Sequence, residues 1–192
     1  HGRLKAMLDY YNYAAVFMNG VGDKQRSVEF FKKYLDMPEC GVFSDAEKDS
    51  IYAAKKVAYT QTAQNLAVLN YQEKNHDDAL KYAQMALKDG EPSRDLYIIC
   101  MQSHLAKNDS AAWLGSLKDA VERTSDVGFM QNLLYYYVNK NDVEAATAIA
   151  NDMITNAPDN KASWYIKGCV DLNLKKDYVA AREAFDKSLQ ID

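Results

Sequence analysis

Asn141-Asp-Val-Glu-Ala-Ala-Thr-Ala-Ile-Ala150 decides the fold, because the chain repeats it. The stretch closes in Ala157-Pro158-Asp159-Asn160, and about 35 residues later Lys176-Asp-Tyr-Val-Ala-Ala-Arg-Glu-Ala-Phe185 follows the same pattern, closing as Leu189-Gln-Ile-Asp192. Upstream, Asn75-His-Asp-Asp-Ala-Leu-Lys-Tyr-Ala-Gln-Met-Ala-Leu87 is a third copy, closing near Pro92. Asn108-Asp-Ser-Ala-Ala-Trp-Leu-Gly-Ser-Leu-Lys-Asp-Ala120 fills the interval between. The anchors Ala79, Trp113, Ala146 and Ala181 stand 34, 33 and 35 residues apart.

Each copy has one internal plan. Apolar periodicity predicts a first helix over 61–73, 94–106, 128–139 and 162–174. A polar turn follows, in which Asn75, Asn108-Asp109, Asn141-Asp142 or Asp177 is the turn former or helix N-cap. A second helix then carries Ala79/Ala83/Ala86, Trp113/Leu117/Ala120, Ala146/Ala150/Met153 and Ala181/Phe185/Ser188. Residues spaced i, i+4, i+7 share one helical face, so each second helix packs closely against its neighbours. Pro92 and Pro158 stand where those helices stop, because proline removes a ladder donor.

These residues resemble the tetratricopeptide repeat (TPR) family, whose pattern runs aromatic, Leu-Gly, aromatic, Ala, aromatic and a closing Pro. The last copy matches through Trp164, Gly168, Ala181 and Phe185. It departs at Lys167 and Asp171, where the pattern has Leu and an aromatic, and carries one extra residue around 174–176. The copy over 127–160 keeps Leu133, Tyr137, Ala146 and Pro158; that over 60–93 keeps Leu66-Ala67, Ala79 and Ala86. The copy over 94–126 keeps Tyr97, Leu117 and Ala120 but puts Trp113 where a small residue lets two helices meet.

The first sixty residues are less regular. Segments 10–18 and 27–35 read as another hairpin, broken at Asn19-Gly-Val-Gly-Asp23 and ended by Met37-Pro38, with Phe30, Phe31, Tyr34 and Leu35 available to cover the next repeat. Ser44-Asp-Ala-Glu47 is a capping-box pattern, and no breaker follows until Asn75, which predicts one helix of about 30 residues. The expected organisation is a degenerate hairpin at 1–43, a repeat with an extended first helix at 44–93, and repeats at 94–126, 127–160 and 161–192. The fold class is all-α, an α-α superhelix or TPR-like solenoid of about five helical hairpins. Ile191-Asp192 stands just before the place of a closing proline, so a longer protein is expected.

Composition narrows the function. A net charge of −4 lacks the basic footprint of nucleic-acid binding, and no apolar run approaches the roughly 20 residues that span a bilayer. The cysteines at 40, 100 and 169 form no CxxC pair, so neither a disulfide framework nor a structural zinc site is expected. Cys100 and His104 have metal-ligand spacing on one helix, but the resemblance places both where the family has core residues between its two helices. The G-x-G of residues 20–22 follows a helix and lacks a P-loop lysine, which makes it a plain turn. No serine has a nucleophile context and no nucleophile–base–orienter set exists, so neither catalysis nor a cofactor is expected. The 14 tyrosines, about twice ordinary usage, suggest an aromatic contact surface, although most rings are expected to be buried. The sequence leaves the compartment open, cytoplasmic by default and cell envelope as the alternative.

The family resemblance implies that first helices line a concave groove. On that analogy the groove presents Asn12, Gln64, Val68, Tyr71, Gln102, Gln131, Tyr135, Tyr165, Cys169 and Asn173. Family members that grip acidic tails carry Lys and Arg on these faces, and this set has neither. The first functional expectation is a non-enzymatic scaffold binding a peptide or helix of a partner protein. A carbohydrate-binding or surface-assembly module of a bacterial envelope protein is the second, with a glycan as ligand. A regulatory domain fused to an enzyme outside this chain is the third.

Overall fold

The computed structural model describes residues 2–191, among which there are ten α-helices and no strand. They are α1 Gly2–Gly20, α2 Lys24–Asp36, α3 Asp45–Gln72, α4 His76–Asp89, α5 Arg94–Ala106, α6 Ser110–Thr124, α7 Val127–Asn139, α8 Val143–Asn156, α9 Lys161–Val170 and α10 Tyr178–Gln190. A 3-10 turn, Met37–Glu39, follows α2, and a π turn, Asp171–Lys175, continues α9. The chain divides between Trp113 and Leu114 into two compact units.

The turns explain why the sequence repeats. Each places one residue in the left-handed region and an N-cap immediately after it: Gly22-Asp23, Lys74-Asn75, Asn108-Asp109, Asn141-Asp142 and Lys176-Asp177. In four of them the N-cap amide donates to a carbonyl five residues back, on Met18, Asn70, His104 and Tyr137, at 2.8–3.0 Å. That bond satisfies a carbonyl orphaned at the end of the preceding helix. The carboxylates of Asp23, Asp109, Asp142 and Asp177 accept from the amides of Arg26, Ala112, Ala145 and Ala180 at 2.9–3.1 Å, fixing the start of the next helix. Asn75 differs: its amide group donates to Asn70 Oδ1 at 3.1 Å.

The extra residue of the last copy is visible in this closure. The Asp177 amide reaches back six residues, to the Asp171 carbonyl at 2.9 Å, and the π turn takes up the additional residue. The regular α9 therefore ends at Val170, short of the helix expected to residue 174.

In the unit before Leu114, α3 begins at the Ser44–Glu47 capping box and runs 28 residues, close to the length expected. Its Ala63, Leu66 and Ala67 are fully buried with Leu8 and Ala15 of α1 and Ala79, Ala83 and Ala86 of α4. Alanines at these positions let the helices approach closely without cavities. From α2, Phe31, Tyr34 and Leu35 are buried, whereas Phe30 is only half-buried, its ring 6.2 Å from that of Tyr11. The four residues cannot all face inward, because 30 and 31 point about 100° apart on a helix. The Tyr34 and Tyr59 rings pack at a tilt of 42° with centroids 4.9 Å apart, and burial is the main cause that pushes the Tyr34 phenol up to about 12. Cys100 and His104 are buried packing residues of α5. Trp113 is only half-buried, unlike Leu117 and Ala120 with which it was expected to share a buried face, since an indole does not fit where alanine permits close contact.

In the second unit, Met130 and Leu134 of α7, Ala150 and Met153 of α8, and Ile166 and Val170 of α9 form one core cluster. Val138, Ile149 and Leu174 pack against its edge. Gly168 lets α9 approach α10: a Cβ there would lie 2.5 Å from the Phe185 ring. That ring in turn packs against Tyr165, with centroids 5.7 Å apart. Gly168→Ala gains about 1 kcal/mol of helix propensity and loses about 1–3 kcal/mol to overpacking. We expect net destabilisation of about 1 kcal/mol, read as a lower urea midpoint at unchanged m-value. A higher midpoint would mean that the Phe185 ring yields freely.

Lys167 and Asp171, the two departures from the family pattern in the last copy, stand together. Asp171 is completely buried and accepts hydrogen bonds from Lys167, one turn before it, and from Lys175, one turn after it at 2.8 Å. Burial opposes its ionisation, but the two ammonium groups outweigh it and hold the carboxyl below its ordinary value. An ion pair thus occupies the space where the pattern has Leu and an aromatic.

Candidate functional site

Two first helices of the second unit, α7 and α9, flank a cleft of about 190 Å³. Its floor is aliphatic, from Leu134 and Val138 of α7 with Ile166 and Val170 of α9 and Leu174 of the π turn. Three of these belong to the core cluster, so the cleft opens directly onto the core and its floor is held rigidly. The rim carries Tyr135, Tyr165, Cys169 and Asn173.

Helical geometry explains the rim. Tyr165 and Cys169 are one turn apart on α9, and the π turn carries Asn173 onto the same edge. Tyr135 is 50% exposed and Tyr165 57%, so both rings offer faces to a ligand while remaining anchored. The Gln131 side-chain amide donates to the Tyr135 hydroxyl at 2.9 Å, which orients that ring. A hydrogen bond with the Cys169 thiol is the main cause that raises the Tyr165 phenol above its ordinary value. The site therefore combines an apolar floor, two phenol hydroxyls and one primary amide. The rim and floor contain no Asp, Glu, Lys, Arg or His.

A larger concavity of about 500 Å³ lies between α1 and α3 of the first unit. Asn12 and Val16 of α1 face Ala54, Ala58, Gln61 and Asn65 of α3 across it. Of the expected groove residues in this unit, Asn12 lines the concavity, whereas Gln64, Val68 and Tyr71 follow a different row of α3 and Gln102 stands exposed on α5. Sequence reasoning passed over Gln61, Asn65 and Val57. The i, i+3, i+4, i+7 row of Ala54, Val57, Ala58 and Gln61 was the available signal, but a 28-residue helix without breakers gives no mark of which face is turned to the groove.

In the second unit the expected Tyr135, Tyr165, Cys169 and Asn173 share the one cleft, with Gln131 bonded to its rim. The tyrosine expectation needs correction. Of 14 rings, Tyr34, Tyr59, Tyr82 and Tyr97 are buried, while Tyr10, Tyr13, Tyr135, Tyr165 and Tyr178 are exposed. Alanine fills many of the tightest helix contacts, leaving less space inside for rings than the composition suggested.

Solved structures share this arrangement of helices. YrrB, a TPR protein with an unusual peptide-binding site, superposes with a TM-score of 0.52 over 95% of this chain and 84% of its own, at 17% identity. The chain has the tetratricopeptide-repeat fold. MamA matches with a TM-score of 0.54 over 99% of this chain and 92% of its own at 15% identity. BtubC (BKLC) from P. vanneervenii matches with a TM-score of 0.50 over 98% of this chain and 81% of its own at 16% identity. No protein-family model matches the sequence, and neither does any curated protein. In TPR terms the α7–α9 cleft is built from consecutive first helices, and no helix of the described residues is long and apolar enough to cross a membrane.

Proposed function

We propose that this chain is a non-enzymatic interaction scaffold that holds a peptide or helix of a partner protein, with the α7–α9 cleft taking one apolar side chain of that ligand. The observation that carries this reading is the aliphatic floor of Leu134, Val138, Ile166, Val170 and Leu174 beneath a neutral rim. A leucine- or phenylalanine-sized group buried there gains about 1.5–3 kcal/mol. The Asn173 amide, exposed at the edge, supplies a donor and an acceptor for a peptide bond. The peptide-binding site named for YrrB agrees with this use of the fold in another protein. A sugar face would suit Tyr135, Tyr165 and Asn173, but five aliphatic side chains in the floor leave sugar hydroxyls without partners, which favours the peptide.

The test is selection of a random peptide display library on the 192-residue chain, followed by titration of the enriched peptide. Enrichment of sequences with one recurrent bulky apolar residue is expected. Affinity should change little between low and moderate salt, because the rim is uncharged. Tyr135→Ala and Tyr165→Ala should each cost about 1–2 kcal/mol of binding. A tenfold loss with salt, together with unaffected tyrosine variants, would assign binding to another surface and a different chemistry.

A further inference from the structure

The first helix carries an apolar stripe on its outer side. α1 buries Leu8 and Ala15 against its own unit. On the opposite side Ala6, Tyr10, Tyr13, Phe17 and Gly20 follow one another at spacings of four, three, four and three residues. This is the period of a seam that a second helix covers along its whole length. Tyr10 is 69% exposed, Tyr13 70% and Phe17 63%, with Met7 and Val21 exposed at the flanks. Between Ala6 and Val21 the only charged residue is Asp9, which lies off the stripe and is held by Lys55 at 2.6 Å.

We infer that this stripe pairs antiparallel with the same stripe of a second copy of the chain. Size along the seam argues for the orientation, because small residues at its ends bracket bulky ones in the middle. In one antiparallel register Phe17 lies over the second copy's Ala6 and Tyr10 over its Tyr13. With the second helix slid by seven residues, two turns, Tyr10 lies over the second copy's Gly20 and Tyr13 over its Phe17. Each register seats a bulky ring against a small residue and leaves the remaining rings to pack on one another. A parallel pair sets Tyr13 on Tyr13 and Phe17 on Phe17, with small residues left facing small ones.

The area is sufficient. Three rings about two-thirds exposed, with their flanking apolar residues, offer about 600 Å² per copy, so a pair that covers this surface fully buries up to about 1,200 Å², the lower edge of specific stable interfaces. A contact of that size without buried charge is a reversible dimer, formed by a symmetric, self-complementary patch. It uses none of the residues of the α7–α9 cleft, so it stands or falls independently of the peptide reading.

Sedimentation velocity of the 192-residue chain over a concentration series tests it. A monomer–dimer equilibrium is expected, with Phe17→Glu and Tyr13→Glu each raising the dissociation constant about tenfold or more, since each buries a carboxylate in the apolar seam. Both side chains are mostly exposed, so far-UV circular dichroism of the variants should match the parent and separate loss of pairing from loss of fold. A chain that sediments as a monomer at every concentration overturns the inference, whether another protein or another part of a longer chain covers the stripe. A dimer that persists in both variants overturns it too, because it then forms through a different surface.

Discussion

Asp171→Ala should destabilise the second unit by about 3 kcal/mol, as removal of one member of a buried ion pair does when its partners stay behind. Asp171 is fully buried, and the Lys167 side chain is only 13% exposed, so its charge does not reach bulk water without moving. Lys175, at 33%, is freer to turn outward. The loss should appear as a lower urea midpoint. It should also depend on pH in a defined direction. Since the folded state holds this carboxyl below its ordinary value, the folded protein binds the proton more weakly than the unfolded chain. The stabilisation is complete above the unfolded value near pH 4 and is lost as pH falls through the lowered folded value. Parent and variant should therefore converge in stability in acid, and a difference that stays constant down to acid pH would show that the carboxylate charge is not the cause. The double substitution Lys167→Leu with Asp171→Tyr puts the apolar pair of the family pattern in place of the ion pair. It should be at least as stable as the parent, because well-packed apolar groups often match or exceed a buried ion pair. A double variant as weak as Asp171→Ala would mean that the π turn itself needs the ions.

Phe31→Ala should cost about 3–5 kcal/mol, the usual range for emptying a buried aromatic site. Its neighbour Phe30, half-buried against Tyr11, should cost about 1 kcal/mol when replaced by alanine, because little of its contact area is enclosed. Urea unfolding of the two single variants makes the comparison internal, since residue type, helix and sequence neighbourhood are shared. Similar losses for both would indicate that α2 is turned differently about its axis. The pair also tests whether α2 truly covers the first unit, where Phe31 is 1% and Tyr34 0% exposed.

The repeat period, and with it the fold class, was legible in the sequence because it rests on local chemistry. A left-handed residue followed by Asp or Asn is a complete instruction for ending one helix and starting the next, whatever surrounds it. Gly22-Asp23, Asn108-Asp109 and Asn141-Asp142 carry that instruction in both residue types, and Lys74-Asn75 and Lys176-Asp177 carry half of it. The alanines at 79, 83, 86, 146 and 150 likewise announce close helix contacts, and all five are fully buried. Tyr135, Tyr165, Cys169 and Asn173 were named on the analogy with the repeat family, whose first helices line a groove, and the fold places them around one cleft. Other features depended on three-dimensional neighbours. One residue too many between Leu174 and Lys176 has several local solutions, and the chain takes the π turn that brings Asp171 to the Asp177 amide. Lys167 and Asp171 read separately as two polar intrusions into a core, and only their meeting inside the fold turns them into one ion pair. The orientation of α2, the row of α3 that lines the first concavity, and the side of α1 on which three rings stand exposed were also decided there. A helical pattern gives the spacing of its apolar residues, but when apolar side chains surround a helix, only the packing of its neighbours selects which face is buried.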